Sequence, residues 1–105
     1  MSGTEQFEVR MLINGAWRAA DSGKTLDVIN PATEETVASV AFGGRAEAHA
    51  AVEAAAAAMP AWARLTAWDR SKILKRTADL MRERIEKIAR VLTLEQGKPL
   101  AESRG

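Results

Sequence analysis

A chain of 105 residues fits one modest domain, and because much of its 47% hydrophobic content is alanine, with aromatics at only 5%, its core is thin. The absence of cysteine excludes disulfides, cysteine-held metals and thiolate catalysis within these residues, and accords with a cytoplasmic setting. The net charge of +1 hides an asymmetry: residues 1–58 carry a net −4, residues 59–94 a net +5, and the remainder is balanced. The first element is a hairpin. Val9 to Ile13 reads as a strand, Asn14-Gly15 as a turn, and Ala16 to Ala19 as the return. Asn-Gly suits a type I′ turn, whose two central residues both need φ > 0. A two-residue loop pairs Ile13 with Ala16 and Leu12 with Trp17, an aliphatic–aromatic contact beside the turn. Asp21 to Lys24 is a loop, and Thr25 to Ile29 is a second strand candidate. Asn30-Pro31-Ala32-Thr33-Glu34-Glu35 turns the chain, and Thr36 to Phe42 returns as a third. Pro31 has no N–H, so strand pairing ends there.

Gly43-Gly44 breaks the β pattern at about residue 42. A helix is expected over about 45–59, alanine-rich, with Val52, Ala55, Ala56 and Met59 at helical spacing. Pro60 is expected to end it. A second helix is expected over about 66–95, capped by Thr66 with Asp69 three residues on. Ile73, Thr77, Leu80, Met81, Ile85, Ile88 and Leu92 make one apolar stripe along it. Glu83–Lys87 and Glu86–Arg90 are i,i+4 pairs in the favourable order. Gly97 supplies a left-handed stop, and Pro99 opens a further helix over about 99–105. The result is an α+β arrangement: a hairpin and short antiparallel strands, then two helices and the start of a third. Two or three strands with a free edge need a sheet partner or a covering layer, and these helices give little cover.

Leu12-Ile13-Asn14-Gly15-x-Trp17, Asn30-Pro31-Ala32-Thr33-x-Glu35, Pro60-x-Trp62, Arg70-x-x-Ile73-Leu74 and Leu94-Glu95-x-Gly97-Lys98-Pro99 fall in this order. Together they resemble the N-terminal segment of the NAD(P)-dependent aldehyde dehydrogenase superfamily. The wording from Leu92 to Glu102 is most similar to its succinate- and glutarate-semialdehyde branch. The resemblance implies that residues 1–105 are the N-terminal part of the cofactor-binding domain, and that the chain is the opening piece of a longer enzyme. It implies oxidation of an aldehyde to an acid through a cysteine thiolate, hydride transfer to NAD or NADP, and a glutamate-activated water. The family's cysteine, glutamate, oxyanion-holding asparagine and main dinucleotide loop all come later. No catalytic, cofactor-binding or metal residue is therefore transferred to this chain, which alone is expected to be inactive and to need no cofactor. The implied partners are the remainder of the polypeptide and, in the intact enzyme, further copies of itself; nucleic acid and membrane are not expected. Structural roles do transfer. Asn30 and Pro31 shape a turn, Gly97 permits the helix stop, and Trp17 and Trp62 anchor packing. Family members often have glycine where Glu34 stands, so a positive φ there would store strain of about 1 kcal/mol.

The remaining candidates read as structural. His49 is the only histidine and lacks partners for metal or triad work. Gly43-Gly44-Arg45 before a helix has the look of a phosphate site, yet without the rest of a fingerprint it reads as a hinge and cap. Lys98 beside Gly97 lacks the glycine-rich spacing of a phosphate loop. Asp79, Glu95 and Glu102 are scattered, and Met59 and Met81 read as core. The sequence also suits two rival functions. The basic helix over 64–90 suits a module that binds a protein partner, nucleic acid or a membrane surface, and free strand edges suit self-association. No apolar run reaches the roughly 20 residues of a membrane span, and Met1 to Gln6 lacks the features of a signal peptide.

Overall fold

The computed structural model describes residues 7–105. Five short strands come first: β1 (Phe7–Val9), β2 (Met11–Ile13), β3 (Ala16–Arg18), β4 (Thr25–Ile29) and β5 (Thr36–Ala41). Four helices follow: α1 (Arg45–Arg64), α2 (Ala67–Glu83), α3 (Ile85–Gln96) and α4 (Leu100–Ser103). The α+β expectation holds, with differences that have physical causes.

The hairpin β2–β3 forms in the expected register, with Ile13 opposite Ala16 and Leu12 opposite Trp17. Asn14 and Gly15 take φ of 52° and 76°, the left-handed pair that a type I′ turn requires. The expected single run from Val9 to Ile13 is instead two strands. The chain changes partner at Arg10: β1 pairs in parallel with β5, Phe7 opposite Ala38, while β2 stays in the hairpin. Side chains go on alternating through such a change, so alternation does not mark it. β5 becomes the middle strand of a β1-β5-β4 sheet, with β4 antiparallel to it. Its central place buries Val37 and Ala38.

Helix α1 runs through Pro60 to Arg64 rather than stopping at Met59. Proline removes only the bond to the Ala56 carbonyl. Ala56 is exposed, so water satisfies that carbonyl while the alanines on both sides hold the helix. Arg70 closes the end of α1, its Nη1 donating to the carbonyls of Ala63 at 3.3 Å and Leu65 at 2.9 Å. Thr66 caps α2 as expected, its Oγ1 accepting the Asp69 N–H at 3.1 Å.

The single helix expected over about 66–95 is two helices, jointed at Arg84 with φ −107° and ψ 16°. The Arg84 N–H is shared between the carbonyls of Leu80 and Met81, at 3.1 and 3.2 Å. No glycine or proline marks this joint, so the periodic stripe runs across it unbroken in the sequence. The expected charge pairs change accordingly. Glu83 lies 3.6 Å from Arg76. Glu86 receives two hydrogen bonds from Arg104, at 2.8 and 3.0 Å. These bonds hold the Glu86 carboxyl below its ordinary range and raise Arg104. Gly97 ends α3 with φ 74°, and α4 begins after Pro99 as a single turn. Thr93 and Ser103 share a 2.8 Å hydroxyl hydrogen bond that ties α4 to α3.

The molecule is a slab, 48 × 36 × 15 Å. Its radius of gyration is 17.1 Å, against about 13 Å for a compact domain of 100 residues. Among the described residues the buried apolar ones are Ala20, Val37, Ala38, Ala89 and Leu94, and Leu94 is the largest of them. Met59 and Met81, expected in the core, are 69% and 54% exposed, because none of the described residues covers their faces. Ile73, Ile85 and Ile88 of the expected stripe are exposed as well. Trp17 and Trp62, expected as packing anchors, are also exposed within these residues.

Candidate functional site

The two most distinctive stretches of the sequence meet in space. Asn30 is buried and organises its turn from three sides. Its Oδ1 accepts the Ala32 N–H at 2.9 Å. Its carbonyl accepts from Thr33 and Glu34 at 3.3 and 2.7 Å, and its own N–H donates to the Glu35 carbonyl at 2.9 Å. This turn sets Pro31 and Ala32 against the end of α3. A Cβ built on Gly97 would stand 2.9 Å from Pro31 Cγ and 3.1 Å from the Ala32 nitrogen. Gly97 is thus required twice, for its left-handed φ and for the close approach of the turn.

Glu34, in the same turn, has φ 63°. The expected strain is therefore present, about 1 kcal/mol for a non-glycine residue in this region. Glu34→Gly removes it, while a freer unfolded chain returns part of the gain. The expected outcome is stabilisation of about 0.5 kcal/mol, read as a higher urea midpoint at constant slope.

A second cluster surrounds Glu47, which the sequence reading passed over. Glu47 is 5% exposed at the start of α1. Its Oε2 accepts the Gly44 N–H at 2.9 Å, and its Oε1 accepts the Asp21 N–H across the chain. The bond from Asp21, then that from Gly44, hold the Glu47 carboxyl below its ordinary range, and nearby Arg18 adds to the effect. Arg18 also pairs with the Asp21 carboxylate at 2.6 Å. Gly44-x-x-Glu47 has the spacing of an N-cap and its returning acid, the signal that would have found this residue. Because its folded pKa is depressed, Glu47 stabilises the fold above its unfolded value, about 4.3, and loses that contribution as pH falls through the lower folded value. Glu47→Gln, which keeps one acceptor and turns an amide donor toward the other N–H, lowers stability at neutral pH. It also flattens the acid limb of a stability–pH curve, and an unchanged limb would remove Glu47 from this role.

The same carboxylate caps the α1 N-terminus, its Oε2 accepting the Gly44 N–H, which accords with the hinge-and-cap reading of Gly43-Gly44. His49 is exposed, and Asp79 pairs with Arg82 at 3.2 Å. Among the described residues no three His, Cys, Asp or Glu side chains are grouped to hold a metal. The basic charge of α2 is largely engaged within the chain. Lys72 lies 3.9 Å from Asp69, Arg76 and Arg82 have their carboxylates, and Arg70 is spent on carbonyls. No described helix is long and apolar enough to cross a membrane.

These residues build a locked turn, a clasped helix start and broad uncovered apolar faces. The family model of the aldehyde dehydrogenase family matches residues 17–105. A glutarate-semialdehyde dehydrogenase of Pseudomonas aeruginosa is 50% identical over 99 residues, which are 94% of this chain and 20% of that protein. An NADP(+) succinate-semialdehyde dehydrogenase of Escherichia coli is 45% identical over 105 residues, all of this chain and 22% of that protein. Among solved structures, an NAD-dependent aldehyde dehydrogenase from Sinorhizobium meliloti superimposes with a TM-score of 0.93 at 33% identity, over 98% of this chain and 21% of that one. The chain spans about a fifth of the length of these relatives. Matched by the family model over most of its length, the chain belongs to the aldehyde dehydrogenase family.

Proposed function

We propose that this chain is the N-terminal part of the cofactor-binding domain of an NAD(P)-dependent dehydrogenase that oxidises a semialdehyde to a carboxylic acid. The family match from Trp17 to Gly105 carries this reading. The substrate class is supported by the two semialdehyde dehydrogenases at 50% and 45% identity. The reacting groups belong to the rest of such an enzyme, which we place in the cytoplasm as a homo-oligomer. This chain contributes position: Gly97 against Pro31, and Glu47 across to Asp21, fix the relative places of sheet and helices. Rate in an enzyme depends on such supports, because small displacements of reacting groups are costly.

The test is a chimaera in which this chain replaces the matching first fifth of the Pseudomonas aeruginosa relative. The folded chimaera is expected to reduce NAD or NADP with glutarate semialdehyde, and the chain alone is expected to give no turnover. Turnover by the chain alone would overturn its purely positional role. A folded but inactive chimaera would overturn the dehydrogenase reading.

A further inference from the structure

Two stripes run along α1, roughly a quarter-turn apart at about 100° per residue. One is made of Ala51, Ala54, Ala55 and Ala58, and lies against the hairpin tip at Leu12 to Gly15. The other is Val52, Ala55, Ala56, Met59 and Trp62, which with Ala58 lines an open trough without a charged residue. Val52 and Met59 are 68% and 69% exposed. A contiguous exposed apolar surface without charge is of the kind that marks an interaction site.

We propose that this trough seats an α-helix supplied by the part of the polypeptide that completes the enzyme. The inference rests on the reading above and names the partner of this surface. Three observations select the occupant. The spacing i, i+3, i+4, i+7 makes ridges that match another helix, and an alanine floor lets its axis approach to about 8 Å. A strand laid there would turn unpaired N–H and C=O groups toward methyls, at a cost that a helix avoids by bonding internally. A second copy is disfavoured by extent, since a stable interface takes about 20–30 residues from each partner, and the trough has six. A covalently joined segment needs less, because its effective concentration is about millimolar without any association step. The relatives hold about four-fifths of their length outside the matched part, ample to provide one helix.

The lack of cysteine makes the test specific, because one introduced thiol is the only one in this chain. Met59→Cys lies in the trough, and Ala57→Cys, on the exposed opposite side of α1, is the reference. In the isolated chain the two thiols are expected to react with iodoacetamide at similar rates. In the chimaera, with modified peptides separated by mass, Met59→Cys is expected to react at least about tenfold more slowly than Ala57→Cys, as local protection requires. Ala56→Arg is expected to lower the melting temperature of the chimaera, and Ala57→Arg to leave it unchanged. Equal thiol rates in an active chimaera would overturn this inference and leave the dehydrogenase reading intact. A folded but inactive chimaera would overturn both. Protection in the isolated chain that rises with its own concentration would assign the trough to a second copy instead.

Discussion

Replacing Gly97 by alanine is expected to destabilise the fold by about 2–4 kcal/mol, from a left-handed penalty near 1 and overpacking of 1–3. The new Cβ meets Pro31 Cγ at 2.9 Å, the Ala32 nitrogen at 3.1 Å and Ala32 Cβ at 3.3 Å. All three belong to the turn that Asn30 fixes, so relief requires the turn or α3 to move. Gly15 and Gly23 supply the control. They have similar φ, 76° and 72°, with no heavy atom within 4 Å of a built Cβ. Gly15→Ala and Gly23→Ala are each expected to cost only about 1 kcal/mol. Urea unfolding of the four proteins measures the difference. Equal losses at all three positions would show that the Pro31 contact carries no energy. In the chimaera, Gly97→Ala is also expected to lower turnover, because it displaces the strands from the helices.

Leu94→Ala is expected to cost about 2–5 kcal/mol, the range for emptying a buried leucine site. Leu94 is 4% exposed and is the largest apolar side chain buried among the described residues. Domains commonly hold only about 5–15 kcal/mol in reserve. With so few buried neighbours to share the loss, this substitution alone removes much of that margin. Leu94→Met keeps the volume and is expected to cost less than about 1.5 kcal/mol. The signature is a fall in urea midpoint for Leu94→Ala at unchanged slope. A loss below that of Leu94→Met would show that the site collapses freely around the smaller side chain.

Local chemistry was readable from the sequence where one residue type has one job. Asn14-Gly15 gave the hairpin and its register, Thr66 the α2 cap and Gly97 the helix stop. Three features depend on contacts that sequence spacing does not record. The transfer from β1 to β2 at Arg10 leaves alternation intact. The joint at Arg84 has no breaker residue. Pro60 is accommodated because the carbonyl it strips lies in solvent. The stripe from Ile73 to Leu92 correctly marked an apolar face, yet periodicity says only that a face seeks cover. It cannot say that the cover lies outside these residues, which is why Met59 and Met81 stand exposed. Glu47 escaped for a related reason. Its cap partner is local, but Asp21, on a distant loop, makes it a bridge.

The flatness of the molecule, 15 Å against 48 Å, bears on how its variants should be interpreted. A plate has two faces and hardly any interior, so a tolerance map measured on the plate alone will score Val52, Met59 and Trp62 as indifferent. Measured in a complete enzyme, the same three positions should rank among the intolerant ones. Disparity between the two maps, position by position, would trace the outline of whatever the plate is pressed against.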